Sequence, residues 1–405
     1  WLAEKFGFRA KLLKSSDMDI QTVREERVID IVKLLGGDTY ISGNGARAYQ
    51  VDAHFAARGV KLCYTDYTPI RYPQLWPKTG FLPYMSVMDF VFNCGFDWAY
   101  YKGRQNIARL NSGRAAIWHA ARCLGARRVW LPFYQCDTVR DFLRRKGMPV
   151  SFYAIDENFT PVGLAPKEGE AVLLVNYYGV MSAERLAALA APYGRVILDC
   201  AQGFFTPQRE SAGCMNIYSA RKFVGVPDGA YVLGEGAERF LSEYAKDYSS
   251  DTAGFLLQRI EYGCAGKAYA SRMENERRLD RADVLRMSGL TRALLDGADY
   301  DRVRDCRRRN FEIAHALFGK INRLDPTLYY DDTCVPMVYP FVYEDDGLLD
   351  RMQAAGHFQG HWWSYLLKEM PADSFEYRLS RYIIPITIDQ RYGEAELRFL
   401  WGLVK

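Results

Sequence analysis

The chain has 405 residues, 49% hydrophobic and 25% charged, which is ordinary for a soluble globular protein and enough for two or three domains with large cores. A formal net charge of +4 is weak over this length, and no basic block stands out beyond the short runs Arg144-Arg145-Lys146 and Arg307-Arg308-Arg309, the latter read as a solvated helix face, so nucleic acid is not expected as a partner. The nine cysteines are scattered without a Cys-x-x-Cys pair, which argues against a disulfide framework or a zinc site and for reduced thiols in the cytoplasm. No apolar run reaches membrane-spanning length, so membrane insertion is not expected; the start has neither a signal-peptide core nor an initiator Met and reads as the truncated end of a longer chain.

Residues 20 to 35 carry Val23, Val28, Ile29, Ile31, Val32, Leu34 and Leu35 at near-helical spacing, and Gly36-Gly37 ends that helix. The run GDTYISGNGARAY, from Gly37 to Tyr49, predicts a short strand, a Gly-rich turn and a new helix; such a turn is a tight corner that can also present N–H groups to an anion. Residues 60 to 95 give a strand, VKLCYTDY, a loop holding Tyr72-Pro73-Gln74, and the apolar segment MSVMDFVFNCG, in which Asp89 is a helix-start cap or a site carboxylate. Together YISGNGARAY, YPQ and SVMDFVFNCG resemble the carboxyl-terminal half of the WbqC-like family, found among surface-polysaccharide genes. The resemblance covers residues 1–97 and implies a partial α/β domain with a glycan context, without implying a reaction.

Phe96 to Arg109 break the periodic pattern, and residues 98–109 read as a linker. Leu110-Asn111-Ser112-Gly113-Arg114 follows, then the helical run AAIWHAARCLGA. A Ser-Gly turn at a helix amino terminus offers free N–H groups, a hydroxyl and the positive dipole end to an anion. After the strand RVWLP comes Pro132-Phe133-Tyr134-Gln135-Cys136-Asp137. Residues 171 to 234 are the most regular part: two apolar runs, AVLLVNYYG and RVILDCAQG, flank an Ala/Leu-rich helical stretch, which makes a βαβ unit. Ligands gather at the carboxyl ends of strands in parallel α/β sheets, so Asn176 and Asp199 are expected in one pocket. Asp199 directly follows Val196, Ile197 and Leu198, and a carboxylate at the rim of a buried sheet is expensive without a cationic partner. Tyr218-Ser219-Ala220-Arg221-Lys222-Phe223 then runs into a turn-rich segment before the apolar run Ala230 to Leu233, which sets a lysine between apolar neighbours.

This arrangement resembles the fold-type I enzymes that use pyridoxal phosphate (PLP), most closely the DegT/DnrJ aminotransferase group. The resemblance implies that Lys222 forms a Schiff base with the cofactor aldehyde and that Asp199 pairs with the protonated pyridine nitrogen; their spacing of 23 positions is compatible with that group. It implies further that Gln202 lies near the ring, that Asn176 reaches the ring hydroxyl, and that Ser112, Gly113 and Arg114 seat one side of the cofactor phosphate. Ser219 and Arg221 would close the other side, with Arg221 alternatively facing solvent or substrate. Relatives usually stack an aromatic ring on the pyridine after the strand ending in Pro132, and Tyr134 is the expected residue, although the offset from the proline in many relatives points to Cys136. The chemistry needs the Lys/Asp pair, because a protonated ring is an electron sink and the amine must hold and release the aldehyde while moving a proton.

Beyond residue 250 the runs RMENERRLDRADVLRMSGLTRALLDG and DRVRDCRRRNFEIAHALFGKIN predict long helices with one solvated face, leading into a small domain. Residues 335 to 405 alternate short strands, VPMVYPFVY and YIIPITI, with helices; His357, His361, Trp362 and Trp363 between them line a sugar pocket or pack the lobe core. The expected organisation is α/β throughout: a WbqC-like partial domain (1–97), a linker (98–109), a PLP-binding large domain with a mostly parallel sheet (110–260), and connecting helices with a small α/β lobe (261–405). By resemblance alone, the expected activity is PLP-dependent amino-group transfer from glutamate to a nucleotide-linked keto-sugar for surface polysaccharide, in a homodimer. Two rivals stay open: another PLP reaction such as dehydration or acyl-group condensation, and a cofactor-free scaffold for glycan assembly.

Overall fold

The computed structural model describes residues 11–65, 69, 72, 74, 80–94, 106–357 and 360–404. The chain divides into two compact units, residues 1–103 and 104–405. Pro73 and residues 95–105, which include most of the expected linker, lie outside the described residues.

In the first unit, helix α1 (Arg24–Leu34) leads to strand β1 (Thr39–Ser42), a 3-10 turn (Asn44–Ala48), helix α2 (Asp52–Ala57) and strand β2 (Lys61–Tyr64). The two strands pair in parallel with Thr39 opposite Lys61, so α2 is the crossover of a small βαβ unit. Its core joins Ile29 of α1, Phe55 of α2 and Val60, with Val28, Val32, Tyr40 and Leu62 packed against them. Helix α3 (Val87–Cys94) carries Asp89 in its first turn, and the Asp89 carboxylate accepts from the Tyr72 hydroxyl and, at 3.4 Å, from Gln74 Nε2. The Gln74 amide also holds Leu82 at both ends, donating to its carbonyl at 2.9 Å and accepting from its N–H at 2.8 Å. Tyr72, Gln74 and Asp89, separate in sequence, therefore meet.

The second unit is built on an eight-stranded sheet in the order β3-β10-β9-β8-β7-β4-β5-β6. Its strands are β3 (Ile107–Leu110), β4 (Arg128–Pro132), β5 (Val150–Ile155), β6 (Pro161–Val162), β7 (Glu170–Val175), β8 (Val196–Asp199), β9 (Cys214–Ser219) and β10 (Ala230–Leu233). Residues 107–109, expected in the linker, are thus part of the sheet. Strands β5, β4, β7, β8 and β9 run parallel, whereas β10 is antiparallel to both its neighbours and β6 is antiparallel to β5. Strands β8, β9 and β10 are buried along their whole length, which is why they read as near-continuous apolar runs. Helix α4 (Gly113–Cys123) lies against β8, β9 and β10 through an alanine-rich face that lets it approach closely. Helix α5 (Asp137–Arg145) follows β4, and α6 (Ala183–Ala190), capped by Ser182, connects β7 to β8. The parallel run brings the carboxyl ends of β4, β7, β8 and β9 to one edge.

Helices α7 (Phe255–Tyr262), α8 (Gly266–Arg281), α9 (Gly289–Asp296) and α10 (Tyr300–Phe318) follow. The first charged run is two helices rather than one: between α8 and α9 the chain extends along the sheet edge, where Asn111 N–H donates to Leu285 O and Met287 N–H to Arg109 O, and Ser288 caps α9. The small lobe pairs β11 (Val338–Val342) with β12 (Ile383–Thr387) antiparallel, Val338 opposite Thr387. Helices α11 (Leu348–Ala354), α12 (Leu366–Glu369), α13 (Phe375–Tyr382) and α14 (Glu394–Gly402) complete it. Among the described residues no helix is long and apolar enough to cross a membrane, and no group of His, Cys, Asp and Glu could hold a metal ion.

Candidate functional site

Asp199 ends β8 and is 8% exposed. Its Oδ1 accepts from Ala201 N–H at 2.9 Å. Burial raises its pKa, while Lys222 opposes that shift through space. Lys222 ends the single 3-10 turn (Ala220–Lys222) that follows β9, and its side chain is exposed. A raised carboxylate pKa beside an amine at adjacent strand ends is the arrangement expected of a site rather than of a core. A third group, which sequence reasoning missed, belongs with them. Gln135, in the loop between β4 and α5, is 4% exposed and turns its amide toward Asp199, where it favours the charged carboxylate; yet its Nε2 closes no hydrogen bond of regular geometry and is a buried donor without a partner. The signal available was its place: a polar residue at the carboxyl end of a buried strand.

Gln202 is buried as well, and its Oε1 accepts from Tyr178 N–H at 2.9 Å, which fixes the amide so that Nε2 is its free donor. The turn presenting that N–H is unusual. Tyr178 has φ 60° and Gly179 φ 79°, and a Cβ at Gly179 would sit 2.2 Å from the Gln202 carbonyl oxygen, so only glycine fits there. Asn176 is used up inside this turn. Its Oδ1 accepts from Met181 N–H, and its Nδ2 donates to Thr206 Oγ1 at 3.0 Å and to Met181 O at 3.5 Å, so it faces the turn instead of the edge where a ring hydroxyl was expected.

Ser112 caps α4, its Oγ accepting from Ala115 N–H at 3.3 Å. The N–H groups of Gly113 and Arg114 have no partner among the described residues, and a Cβ at Gly113 would meet nothing within 4 Å. Open space therefore lies over the positive end of this helix. Ser219, at the end of β9, makes no capping bond to the turn that follows. The guanidinium groups of Arg114 and Arg221 both go to α8: Arg114 pairs with Asp280 at 2.8 Å and Arg221 with Glu276, one helical turn apart. Arg221 is thus held by α8 with part of its side chain still exposed.

Tyr134 does not join the group. It is fully buried, its hydroxyl bonds the Tyr178 hydroxyl at 2.8 Å, and its ring meets Trp363 edge-on with centroids 4.3 Å apart. Cys136 is half-buried at the start of α5, its Sγ 3.0 Å from Thr138 Oγ1. Trp362 packs on Tyr178, and His361 Nδ1 lies 3.2 Å from Ser380 O, so these residues stand in the packing between the small lobe and the sheet; burial lowers the His357 pKa. The small lobe also grips the β4–α5 loop, where Tyr365 OH donates to the carbonyls of Phe133 and Gln135, both at 2.8 Å.

Comparison with solved structures places this architecture. Over 76% of the chain it superposes on a DegT/DnrJ/EryC1/StrS aminotransferase from Brucella abortus, with 87% of that chain covered, 17% identity and a TM-score of 0.50. The fold is that of the DegT/DnrJ/EryC1/StrS aminotransferases. The sugar aminotransferase CalS13 from Micromonospora echinospora matches over 76% of this chain and 90% of its own, with 15% identity and a TM-score of 0.51. So does the GDP-4-keto-6-deoxy-D-mannose-3-dehydratase of E. coli with bound hydrated PLP, over 76% and 90% of the two chains, with 16% identity and a TM-score of 0.50. The amino-terminal part is similar to something else. Residues 1–100 match the WbqC-like protein family, and 90 residues are 31% identical to the uncharacterised protein Rv1507c of Mycobacterium tuberculosis. That match takes in 22% of this chain and 38% of the relative, so the chain spans well under half the length of the curated relative it matches.

Proposed function

We propose that the second unit binds pyridoxal 5'-phosphate and transfers an amino group to a sugar substrate. The observation that carries this reading is the placement of buried Asp199 and of Lys222, which acts on it through space, at the ends of neighbouring strands, on a fold shared with such aminotransferases. The chain's own residues fit the group. Gln135 Nε2 is an unpartnered buried donor beside Asp199, Gln202 is oriented as a donor, and space is open over the free N–H groups of α4. When bound, the cofactor supplies an aldehyde on a pyridine ring that, while protonated, withdraws electrons from the substrate carbon attached through nitrogen.

In this reading Lys222 is the nucleophile that bonds the aldehyde and, once displaced by a substrate amine, moves a proton at the neighbouring carbon. Asp199 keeps the proton on the ring nitrogen. Ser112, Ser219 and the N–H groups of Gly113 and Arg114 hold the phosphate, with Arg114 and Arg221 anchored behind it by α8. Gln202 donates to the ring oxygen in place of Asn176. Glutamate as donor and a nucleotide-linked keto-sugar as acceptor complete the proposal; support for a sugar comes from neighbours described as acting on GDP-4-keto-6-deoxy-D-mannose or carrying a TDP-sugar product. The WbqC-like unit points to the same context, surface-polysaccharide synthesis, and a reduced-thiol chain with this cofactor belongs in the cytoplasm.

A second reading, dehydration of a keto-sugar, is favoured by the dehydratase on the same fold. Incubating the purified protein with the cofactor, glutamate and keto-sugars separates the two: transamination consumes glutamate and yields 2-oxoglutarate, whereas dehydration leaves the product without new nitrogen. A protein that shows no absorption band with added cofactor is neither, and is a scaffold. We also propose a homodimer. Lys222 is exposed, and α7 leaves Leu257 and Ile260 at 70% and 80% exposure, surfaces that a second copy would cover. Sedimentation of the loaded, active protein as a monomer would rule this out.

A further inference from the structure

Resting on the cofactor reading above, we propose that Arg307 is a positioning residue through which the small lobe holds Lys222 and Gln202 together. Arg307 lies on α10 and is 2% exposed. Among the described residues no carboxylate forms an ion pair with it; Asp389, the opposing charge that acts on it through space, is taken by Arg391 at 2.6 Å. Its partners are main-chain carbonyls. Nη1 donates to Met337 O at 2.8 Å and to Pro336 O at 3.4 Å, and Nη2 donates to Lys222 O at 3.4 Å. The guanidinium carbon lies 4.4 Å from the centroid of the Phe223 ring, and Gln390 Nε2 donates to Phe223 O at 3.0 Å.

The hydrogen bonds continue beyond the arginine. Met337 N–H donates to Tyr178 O at 2.8 Å, and Tyr178 N–H in turn donates to Gln202 Oε1 at 2.9 Å. A single line of bonds therefore runs from Lys222 through Arg307, Met337 and the left-handed Tyr178 to Gln202. It starts and ends on the two residues proposed to face the cofactor, and between them it crosses Arg307 on α10, which packs on the small lobe, and Met337, just before β11. A buried guanidinium without an ion pair is costly, and an apolar side chain of similar volume would pack there at lower cost. What the guanidinium adds is a planar fork that reaches carbonyls on two sides at once, which an ammonium cannot do. A shift of the small lobe against the sheet would thus reach the lysine backbone and the Gln202 amide together.

The test uses the full chain with Arg307→Met and Arg307→Lys. Three quantities are measured: the rate at which cofactor-free protein forms a borohydride-trappable bond between Lys222 and pyridoxal phosphate, the Kd for pyridoxamine phosphate, which needs no such bond, and the melting temperature. Trapping should slow by about tenfold or more in both variants, because a small displacement of a reacting group is expensive in rate. Pyridoxamine phosphate, which meets Gln202 but forms no bond to Lys222, should bind only about two- to threefold more weakly, a smaller loss than that in trapping. Arg307→Lys keeps charge and most of the volume, so it decides the question alone if Arg307→Met does not fold. Wild-type trapping rates in the folded variants would overturn the role of Arg307 and leave the cofactor site standing. A wild-type chain that traps nothing at Lys222 removes the cofactor site, and this inference with it.

Discussion

Two buried carboxylates of the second unit, Asp199 at the end of β8 and Asp228 just before β10, have opposite surroundings. Asp228 is fully buried and saturated: it accepts from Ser249 Oγ at 3.1 Å, Ser288 Oγ at 2.6 Å, Ser288 N–H at 2.9 Å and the Thr291 hydroxyl, at the amino terminus of α9. Asp199 has one backbone N–H, an amine that acts on it only through space, and the Gln135 amide, which favours its charge without closing a bond of regular geometry. A buried carboxylate saturated by the chain's own donors has no room for another group, whereas one at a sheet rim with few donors leaves a place for a ligand's atoms. Asp228 therefore belongs to the architecture, and Asp199 is the carboxylate we propose for the chemistry.

The largest effect expected is at the amine across from Asp199. Lys222→Arg should cut turnover by on the order of 10⁴-fold or more, as losing a covalent nucleophile does, because a guanidinium stays protonated and cannot attack the aldehyde. Borohydride should label Lys222 in the wild-type chain and leave the variant unlabelled. A label on another lysine, such as Lys267, would break the comparison at its base, since Asp199 would then face no functional amine.

Exchanging each carboxylate for its amide sharpens the contrast, because the two losses should cross. Asp199→Asn should retain cofactor and melt near the wild-type temperature while turnover falls by on the order of 10²-fold or more, the scale of removing a charge that stabilises a reacting centre. Asp228→Asn turns an acceptor of several hydroxyl bonds into a group with its own buried N–H to satisfy, and should lose about 1–3 kcal/mol of stability. Denaturant unfolding and turnover per folded molecule, measured on both variants, would show whether the effects cross. If Asp228→Asn loses turnover with no loss of stability, its assignment to the architecture is wrong.

How much of this could be read from the residues follows from which forces are local. The βαβ unit was legible because strands buried on both faces are unbroken apolar runs, and the polar residue ending such a run, Asp199, must sit at the sheet rim. The turn after the next strand, which holds Lys222, was legible from its Gly/Pro-rich continuation, whereas the role given to Lys222 came only from the family resemblance. The small-lobe strands β11 and β12 were legible too. The surroundings of Asn176 and Tyr134 were not legible, because both depend on the Tyr178-Gly179 turn, whose left-handed tyrosine is held by long-range contacts with Met337 and Trp362. No local pattern could announce that Arg114 and Arg221 would meet Asp280 and Glu276, because those ion pairs join distant parts of the chain. The break between α8 and α9 was hidden likewise, since Leu285 to Met287 leave the helix to bond the backbone beside β3.

The smallest effect tests the electrostatic half of the comparison without any cofactor. Burial raises the pKa of Asp199 above that of an unfolded aspartate, so between those two values the folded chain holds a proton that the unfolded chain has released. With more protons bound in the folded state, stability falls as pH rises through that window, opposite to the behaviour of a salt-bridged carboxylate. Asp199→Asn removes the titrating group, so the stability difference between the variant and the wild type should grow in the variant's favour as pH rises from the ordinary aspartate range to the folded pKa of Asp199, and level off above it. Melting temperatures of the cofactor-free proteins across that range measure it. A difference independent of pH would mean that Lys222 and Gln135 stabilise the charged carboxylate enough to cancel its burial, and Asp199 would then be as fully satisfied as Asp228.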